Sequence, residues 1–510
     1  MSQSSKKSSF VIVYHRQPYE EAVENGKVVY KENKSPNGIV PALKGFLSSA
    51  DDAVWVAWKQ VPPSGEKDFP RCVHIDDSYG SYDVVRLPLN AEQVKAFYHV
   101  TSKEALWPIL HSFPGKFNYG PVDWENFRNV NRLFAEAACE QAKDDAFIWV
   151  HDYNLWLVPH YVRQIKPKAR IAMFHHTPFP SPDAFNVLPW REEILSSLLD
   201  CDIVGFHIPR YAENFASVAC SLMGAKRADV QEVEGPFSPT GTALSEPGVT
   251  TALTYQGRRV EIDAWPIGTN PTVIEKHLSS FEAGQRVSEI QSEVGDCRLM
   301  ISVGRVDYTK GTKEMLEAYD RLLARRPEIR GKVKLFCICV APAAGMNAYR
   351  SAQREVERLV GAINGKYGNL RWTPIMLSTR GVPFEQLVCY YRAADVCWIT
   401  PLRDGLNLVA KEYIASQNGE PGVLILSEFA GAAVELTECV NVNPYSQRSM
   451  DAAIDTALDM KADERKARLD KMKERIRTWD VEHWAHHVRE RFEGLDMIKS
   501  APVARMRKVS

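Results

Sequence analysis

The sequence has no apolar run near the roughly 20 residues that span a bilayer, so no membrane-spanning helix and no membrane partner is expected. The first nine residues, Met1-Ser-Gln-Ser-Ser-Lys-Lys-Ser-Ser9, lack an apolar secretory core, and a cytoplasmic location is the expectation. Charge of one sign is also lacking: 63 Lys and Arg stand against 64 Asp and Glu, a net charge of −1. Non-specific nucleic-acid affinity comes from excess cation, so nucleic acid is not expected as a primary target. The ten cysteines among 510 residues form no Cys-x-x-Cys pair. Cys337 and Cys339 lie in one apolar run with the intervening residue on the other face, and the set reads as reduced core residues. Gly-x-Gly-x-x-Gly, Walker A and His-Glu-x-x-His sequences are absent, and no metal-ligand cluster is evident.

What is present is ample apolar material, 45% of residues, arranged as short β-branched runs alternating with amphipathic segments. The first series of predicted strands is Phe10–Tyr14, Val54–Trp58, Phe147–His151, Arg170–Phe174 and Asp202–Phe206. The second is Arg298–Val303, Val333–Val340, Arg371–Met376, Asp395–Thr400 and Val423–Ser427. Met315, Leu316, Tyr319, Leu322 and Leu323 mark one helix face, which Arg326-Pro327 stops. Alternation of this kind implies parallel α/β sheets. Glu232–Arg258, rich in Gly, Pro, Ser and Thr, reads as a hairpin or loop within the first unit, and Trp265–Asn270 reads as the hinge. Trp484, Val488 and Phe492 recur every four residues in a last helix. Ligands of open α/β sheets bind at the carboxyl ends of the strands, so the chemistry is expected just after them.

Several segments fit that place. Thr400–Tyr413 follows a strand, and a helix starting near Leu406 would present free amides to an anion, with Asp404 and Glu412 offered to hydroxyls. A capped helix with a solvated Glu412 is the plainer alternative. Ser302–Gly311 brings Arg305 and Lys310, read as five apart in a loop, to a point where both could grip a diphosphate; two surface cations are the alternative. Asp152 and His176 are polar groups delivered at strand ends, although a lone His is more often a satisfied core group. Arg16 ends the first strand, and Gly38 opens a helical segment where close backbone approach is possible. Tyr98 and Trp107 read as core aromatics on spacing alone.

Together these segments resemble the trehalose-6-phosphate synthase family of retaining glycosyltransferases from about Phe10 to Leu495. The most specific blocks start at His151, His176, Gly304, Leu402 and Leu426. The resemblance implies an α/β GT-B fold, with two Rossmann-like doubly wound domains facing across a cleft. Residues 1–266 would bind the acceptor, with a helix at about 481–498 packing back on them. Residues 267–480 would bind the nucleotide sugar, and 499–510 would be a frayed tail. Asp152, His176, Arg305 and Lys310 would stand at the reacting centre. Gly38, Arg305, Lys310, Asp404, Gly405, Leu406, Asn407 and Glu412 would meet the donor, and Arg16, Tyr98, Trp107 and Asp152 the acceptor. No cofactor, metal or oligomeric state is implied.

Within the family, Tyr14-His-Arg16, Ser35-Pro-Asn-Gly38, His151-Asp-Tyr-Asn154 and Phe174-His-His-Thr-Pro-Phe-Pro180 resemble the branch that glucosylates glycerol phosphate. Ala343 stands where the trehalose branch carries an Arg that grips the acceptor phosphate. That branch implies transfer of glucose from ADP-glucose to sn-glycerol 3-phosphate, for compatible-solute synthesis under salt stress, with a separate phosphatase as functional partner. The alternatives are glucose 6-phosphate as acceptor, or a catalytically silent sugar-phosphate sensor.

Overall fold

The computed structural model describes residues 7–32, 38–47, 52–65, 69–233, 241–341, 347–419 and 421–500. The first sheet is built from β1 (Ser8–Tyr14), β4 (Ala53–Gln60), β5 (Cys72–Asp77), β6 (Gly80–Leu89), β7 (Ala142–His151), β8 (Arg170–His175), β9 (Ile203–Phe206), β10 (Lys226–Glu232), β11 (Gly248–Tyr255) and β12 (Arg258–Ala264). Their order is β10-β11-β12-β9-β8-β7-β1-β4-β6-β5. A separate hairpin joins β2 (Tyr19–Glu24) to β3 (Lys27–Glu32). The second sheet holds β13 (Arg298–Arg305), β14 (Val333–Val340), β15 (Ile375–Ser378), β16 (Val396–Ile399), β17 (Val423–Ser427) and β18 (Val440–Val442), in the order β15-β14-β13-β16-β17-β18. All its pairings are parallel. This is the doubly wound order, and both sheets reverse direction beside their first strand, between β1 and β7 and between β13 and β16. The protein is an α/β GT-B structure.

Two connections join the sheets. The segment after β12 starts with the Trp265 amide bonded to the Phe206 carbonyl, and the Val481 amide returns to the Thr269 carbonyl at 2.9 Å. Gly268 is needed here, because a Cβ would collide with the Asp480 backbone. Helix α4 (Val481–Ser500) then lies on the first sheet. Trp484 meets the edge of Phe46, which belongs to α1 (Ile39–Leu47), and stacks on Trp149, while Phe492 packs 3.9 Å from Phe147. One apolar cluster therefore runs from β1 and β7 through Trp484 into the second sheet.

Several expectations need correction. The strand expected at Arg371–Met376 is displaced to Ile375–Ser378, because Pro374 has no amide to give a ladder. Of the two readings of Glu232–Arg258, the hairpin is the one found: β11 turns into β12 through Gln256 and Gly257, both with positive φ, and β10 extends the edge. The β2–β3 hairpin and the strands β5 and β6 were not anticipated. Cys72 is exposed, unlike the core cysteines, although all ten are free. The tail beyond Ser500, Ala343, and Ser35 to Asn37 of the Ser-Pro-Asn-Gly block lie outside the described residues. Among the described residues, no helix is long and apolar enough to cross a membrane.

Helix α2 (Thr312–Arg325) buries the apolar stripe predicted for it. Helix α3 (Leu408–Ser416) follows β16 and begins two residues later than expected. Within α3, Lys411 is fully buried and pairs with Glu435 at 2.5 Å. Its Nζ also donates to the Ile267 carbonyl of the first connection, at 2.9 Å. Removing one partner of such a pair typically costs about 3–5 kcal/mol, because the other charge is left buried and uncompensated. Lys411→Met should therefore destabilise the chain by about that amount in urea unfolding, and adding Glu435→Leu should recover most of it. A double variant no better than the single would show that the charge pair is not the cause.

Candidate active site

The two switch points deliver polar groups toward each other. From the first sheet, β1 ends in Tyr14, and Arg16 follows. The Arg16 carbonyl is anchored by the Trp55 indole at 2.9 Å, and its guanidinium lies close to Tyr98. Arg16 reaches solvent at the cleft edge while protein crowds it on its other sides. Asp152 follows β7 with φ 72° and ψ 162°, a backbone region almost reserved for glycine. It is held there by its amide, which donates to the Phe174 carbonyl at 2.8 Å, and by its Oδ1, which accepts the Tyr153 amide at 3.0 Å. Burial pushes the Asp152 carboxyl up from the usual carboxylate range, partly offset by the Tyr153 amide, Lys103 and Arg16. His176 follows β8, and its Nε2 lies 3.1 Å from His151 Nδ1. Burial holds both imidazoles well below their ordinary pKa, so the pair is neutral and one ring donates to the other.

From the second sheet, Arg305 is the last residue of β13, on a strand rather than in the expected loop, and is exposed to the cleft. Its charge is felt at Tyr14, Lys103, Tyr153 and Tyr349, three of them on the opposite domain. Lys310 closes a single 3-10 turn and pairs with Asp404 Oδ2 at 2.7 Å. Gly311, with φ 65°, sits so close to the Thr400 carbonyl that no side chain fits. Burial would raise the Asp404 carboxyl, but Lys310 and the 3.0 Å bond from Asn407 Nδ2 hold it below the usual range. Asn407, at φ 86°, caps α3 by accepting the Ala410 amide on Oδ1.

The two sets touch. The Tyr211 hydroxyl donates to the Asp404 carbonyl at 2.9 Å. A Cβ on Gly405 would lie 2.5 Å from the His176 carbonyl, so glycine is required by the approach of the domains. Leu406 is buried behind it.

The structure thus brings Arg16, Tyr98, Trp107, Asp152, His176, Arg305, Lys310, Asp404, Gly405, Leu406 and Asn407 to one cleft. Glu412 lies one turn into α3, buried and beside Tyr391. Gly38 opens α1 with φ 120°; a Cβ there meets only Pro41, so its backbone conformation and not crowding favours glycine.

Sequence reading missed Lys103, Tyr153 and His111. All three are buried; His111 is pushed down to about 4 by burial and donates from Nδ1 to the Trp107 carbonyl. A separate surface hollow lined by Glu136, Cys139, Asp144 and Lys166 lies near the opposite, amino-terminal end of β7, away from these groups. Among the described residues, no group of three or more His, Cys, Asp or Glu is placed to hold a metal ion.

Comparison with known proteins gives the same region a context. The model of glycosyltransferase family 20 matches residues 8–494. A glucosylglycerol-phosphate synthase of a Synechocystis species is 56% identical over 94% of this chain and 96% of its own. A glucosylglycerol-phosphate synthase of a Picosynechococcus species is 53% identical over the same shares. A solved E. coli trehalose-6-phosphate protein with UDP-2-fluoro glucose bound superposes with a TM-score of 0.81, at 30% identity, over 95% of this chain and 98% of that one.

The buried Asp152 makes a prediction with a defined sign. Its folded pKa is raised, so its ionised form is a penalty, full above the folded pKa and relieved as pH falls toward the unfolded value. Asp152→Asn keeps the shape, carries the same backbone strain as Asp, and removes the charge. It should stabilise the chain by about 1–3 kcal/mol near pH 8, with the gain shrinking toward about pH 4. Unfolding of both proteins at the two pH values checks this; a variant less stable at pH 8 would contradict it.

Proposed function

The chain belongs to glycosyltransferase family 20, and on that premise we propose that it transfers glucose, with retention, from ADP-glucose to the 2-hydroxyl of sn-glycerol 3-phosphate. The products are 2-O-(α-D-glucopyranosyl)-sn-glycerol 3-phosphate and ADP. The observation that carries the reading is the convergence of Arg305 with Arg16, Lys103 and Asp152 across the cleft, in a chain 56% identical to a glucosylglycerol-phosphate synthase. Trehalose-phosphate relatives are more distant, at about a third identity.

In this reaction the first domain binds the acceptor and the second the nucleotide sugar. As the glycosidic bond breaks, negative charge grows on the leaving diphosphate. Arg305, Lys310 and the amino-terminal end of α3 would receive it. Lys310 is already oriented by Asp404 Oδ2, which also accepts from Asn407, so Asp404 Oδ1 is the oxygen offered to the sugar hydroxyls. Gly405, Leu406 and Asn407 shape that turn, Glu412 takes the donor ribose, and Gly38 closes over the donor. Asp152 and His176 face the transferring glucose, while Tyr98 and Trp107 line the acceptor side.

No enzymic nucleophile is assigned. A double-displacement glycosidase places two carboxyl groups about 5–5.5 Å apart. Here the Asp152 carboxylate is committed to the Tyr153 amide, and Asp404 to Lys310 and Asn407. The acceptor attacks from the face the diphosphate leaves, and the departing phosphate oxygen takes the hydroxyl proton. The product still carries its phosphate, so a separate phosphatase acts next, in compatible-solute synthesis in the cytoplasm.

Nucleotide release from the purified chain tests the reading, with ADP-glucose or UDP-glucose against glycerol 3-phosphate or glucose 6-phosphate. Turnover should depend on glycerol 3-phosphate and be faster with ADP-glucose. Turnover with glucose 6-phosphate alone would overturn it. Arg305→Ala and Lys310→Ala should each lower kcat by about 100- to 1000-fold.

A further inference from the structure

Lys103 is the most unusual charge in the chain outside the groups already given a role. It is more than nine-tenths buried. No hydrogen bond or ion pair joins it to another described residue. Its ammonium instead lies over ring faces: 4.1 Å from the Trp107 centroid, 5.4 Å from Tyr98 and 5.7 Å from Tyr153. Aromatic faces attract a cation but do not replace its hydration. Burial accordingly pushes its pKa far down, and Arg305 and Arg16 push in the same direction.

The backbone explains how Lys103 comes to be there. Residues Lys95–Leu106 form a π-helix, between one α-turn at Ala91–Val94 and another at Trp107–Leu110. Ser102 Oγ donates to the Phe97 carbonyl, five residues back, and the Trp107 amide to the Ser102 carbonyl. In an α-helix, residues five apart point about 140° away from each other. With i→i+5 bonding they share a face, so Tyr98 and Lys103 are presented together. Wide turns of this sort are rare and are frequently found at functional sites.

The surroundings suit an anion. The charged groups facing Lys103 are Arg16 after β1, Arg305 and Asp307 around the end of β13, and Asp152 after β7. Both carboxylates are engaged by backbone amides, Asp152 by Tyr153 and Asp307 by Thr309. Three cations thus meet two carboxylates. Beside them, the Trp107 indole N–H and the Tyr153 hydroxyl are buried without a hydrogen-bond partner. A dianionic phosphate ester would pair with Lys103 and Arg16 and offer acceptor oxygens to the two unpartnered groups, and a neutral sugar would not bring that charge.

We propose that Lys103, together with Arg16, binds the phosphate of the acceptor, and that this residue sets the preference for a phosphorylated over a neutral acceptor. This rests on the glucosyltransfer reading above. Arg305 is left to the donor, so the two phosphates are held by different cations.

The test uses the full chain with Lys103→Met, which keeps length and removes charge, and Lys103→Arg, which keeps a permanent charge. Glycerol 3-phosphate and ADP-glucose are varied independently. Loss of one charge-assisted contact should raise the acceptor KM about 30-fold or more in Lys103→Met and leave the donor KM within about twofold. Lys103→Arg should recover most of the loss. Inorganic phosphate, competing with the acceptor, should inhibit Lys103→Met correspondingly less. The pH profile separates binding from structure. The wild-type acceptor KM should rise between about pH 7 and 9 as Lys103 loses its proton, and the Lys103→Arg value should not. An unchanged acceptor KM, or donor and acceptor KM rising together with a lowered unfolding midpoint, would overturn the proposal. If the wild type uses glucose 6-phosphate and not glycerol 3-phosphate, the reaction assigned above fails, while the effect of Lys103→Met on that acceptor still decides the role of Lys103. If neither is used, titration of inorganic phosphate decides, and equal affinity of wild type and Lys103→Met overturns it.

Discussion

The arrangement of the cleft depends on a buried cation that never reaches it. Lys411 spans from α3 to the first inter-domain connection, pairing with Glu435 and donating to the Ile267 carbonyl in a region closed to water. Helix α3 carries the Asn407 cap at one end and Glu412 one turn in, so both are fixed relative to the connection rather than to the sheet alone. Lys411 and the Gly268–Asp480 contact sit on the same short stretch, where the two crossings run side by side. Any opening of the cleft has to pivot there. An exposed ion pair would be too weak to hold such a pivot, whereas a desolvated one cannot be broken without stranding a charge.

Polar groups in the cleft are likewise held at a cost that other contacts offset. Asp152 occupies a backbone region worth about 1–3 kcal/mol of strain and is desolvated as well. The Phe174 carbonyl and Tyr153 amide over-determine its position. Lys310 is fixed by Asp404 before any ligand arrives. Groups oriented in advance need no reorganisation when charge develops, and that is where such sites gain most of their effect. The neutral His151–His176 pair adds orientation to this side without adding cation.

The elements legible in the sequence were those whose signal is local. Apolar runs such as Val333–Val340 and Val423–Ser427 appear as strands with the same bounds, because both sheet faces are covered. Strand ends therefore put Arg16, Asp152, His176, Arg305 and Asp404 at the cleft edge without three-dimensional information. The failures share a cause as well. The strand near Arg371 was misplaced by reading apolar content through Pro374, and α3 was started at Leu406 because the left-handed Asn407 cap is invisible in composition. Lys103 was missed because a 3.6-residue period puts it on a different face from Tyr98. Only the i→i+5 bonds made by Ser102 and Trp107 bring the two together, and no residue pattern announces them. The strands β5 and β6 mix charged and apolar residues, since one edge is wet, and so gave no continuous run.

Closure ties these parts into one reaction geometry. Gly405 fits against the His176 carbonyl, and Tyr211 bonds the Asp404 carbonyl, so the turn that orients Lys310 is completed by the opposite domain. Arg305 reaches the field of Lys103 and Tyr14 only in this arrangement. Separated domains would leave Lys310 and Asp404 paired but would remove the surface on which an acceptor could approach. Water entering an open cleft would then meet a donor held by fewer contacts, with its leaving group less stabilised. In the proposed reaction the same contacts that exclude water also assemble the cations, so transfer to an alcohol is favoured over hydrolysis by geometry rather than by any difference in nucleophile.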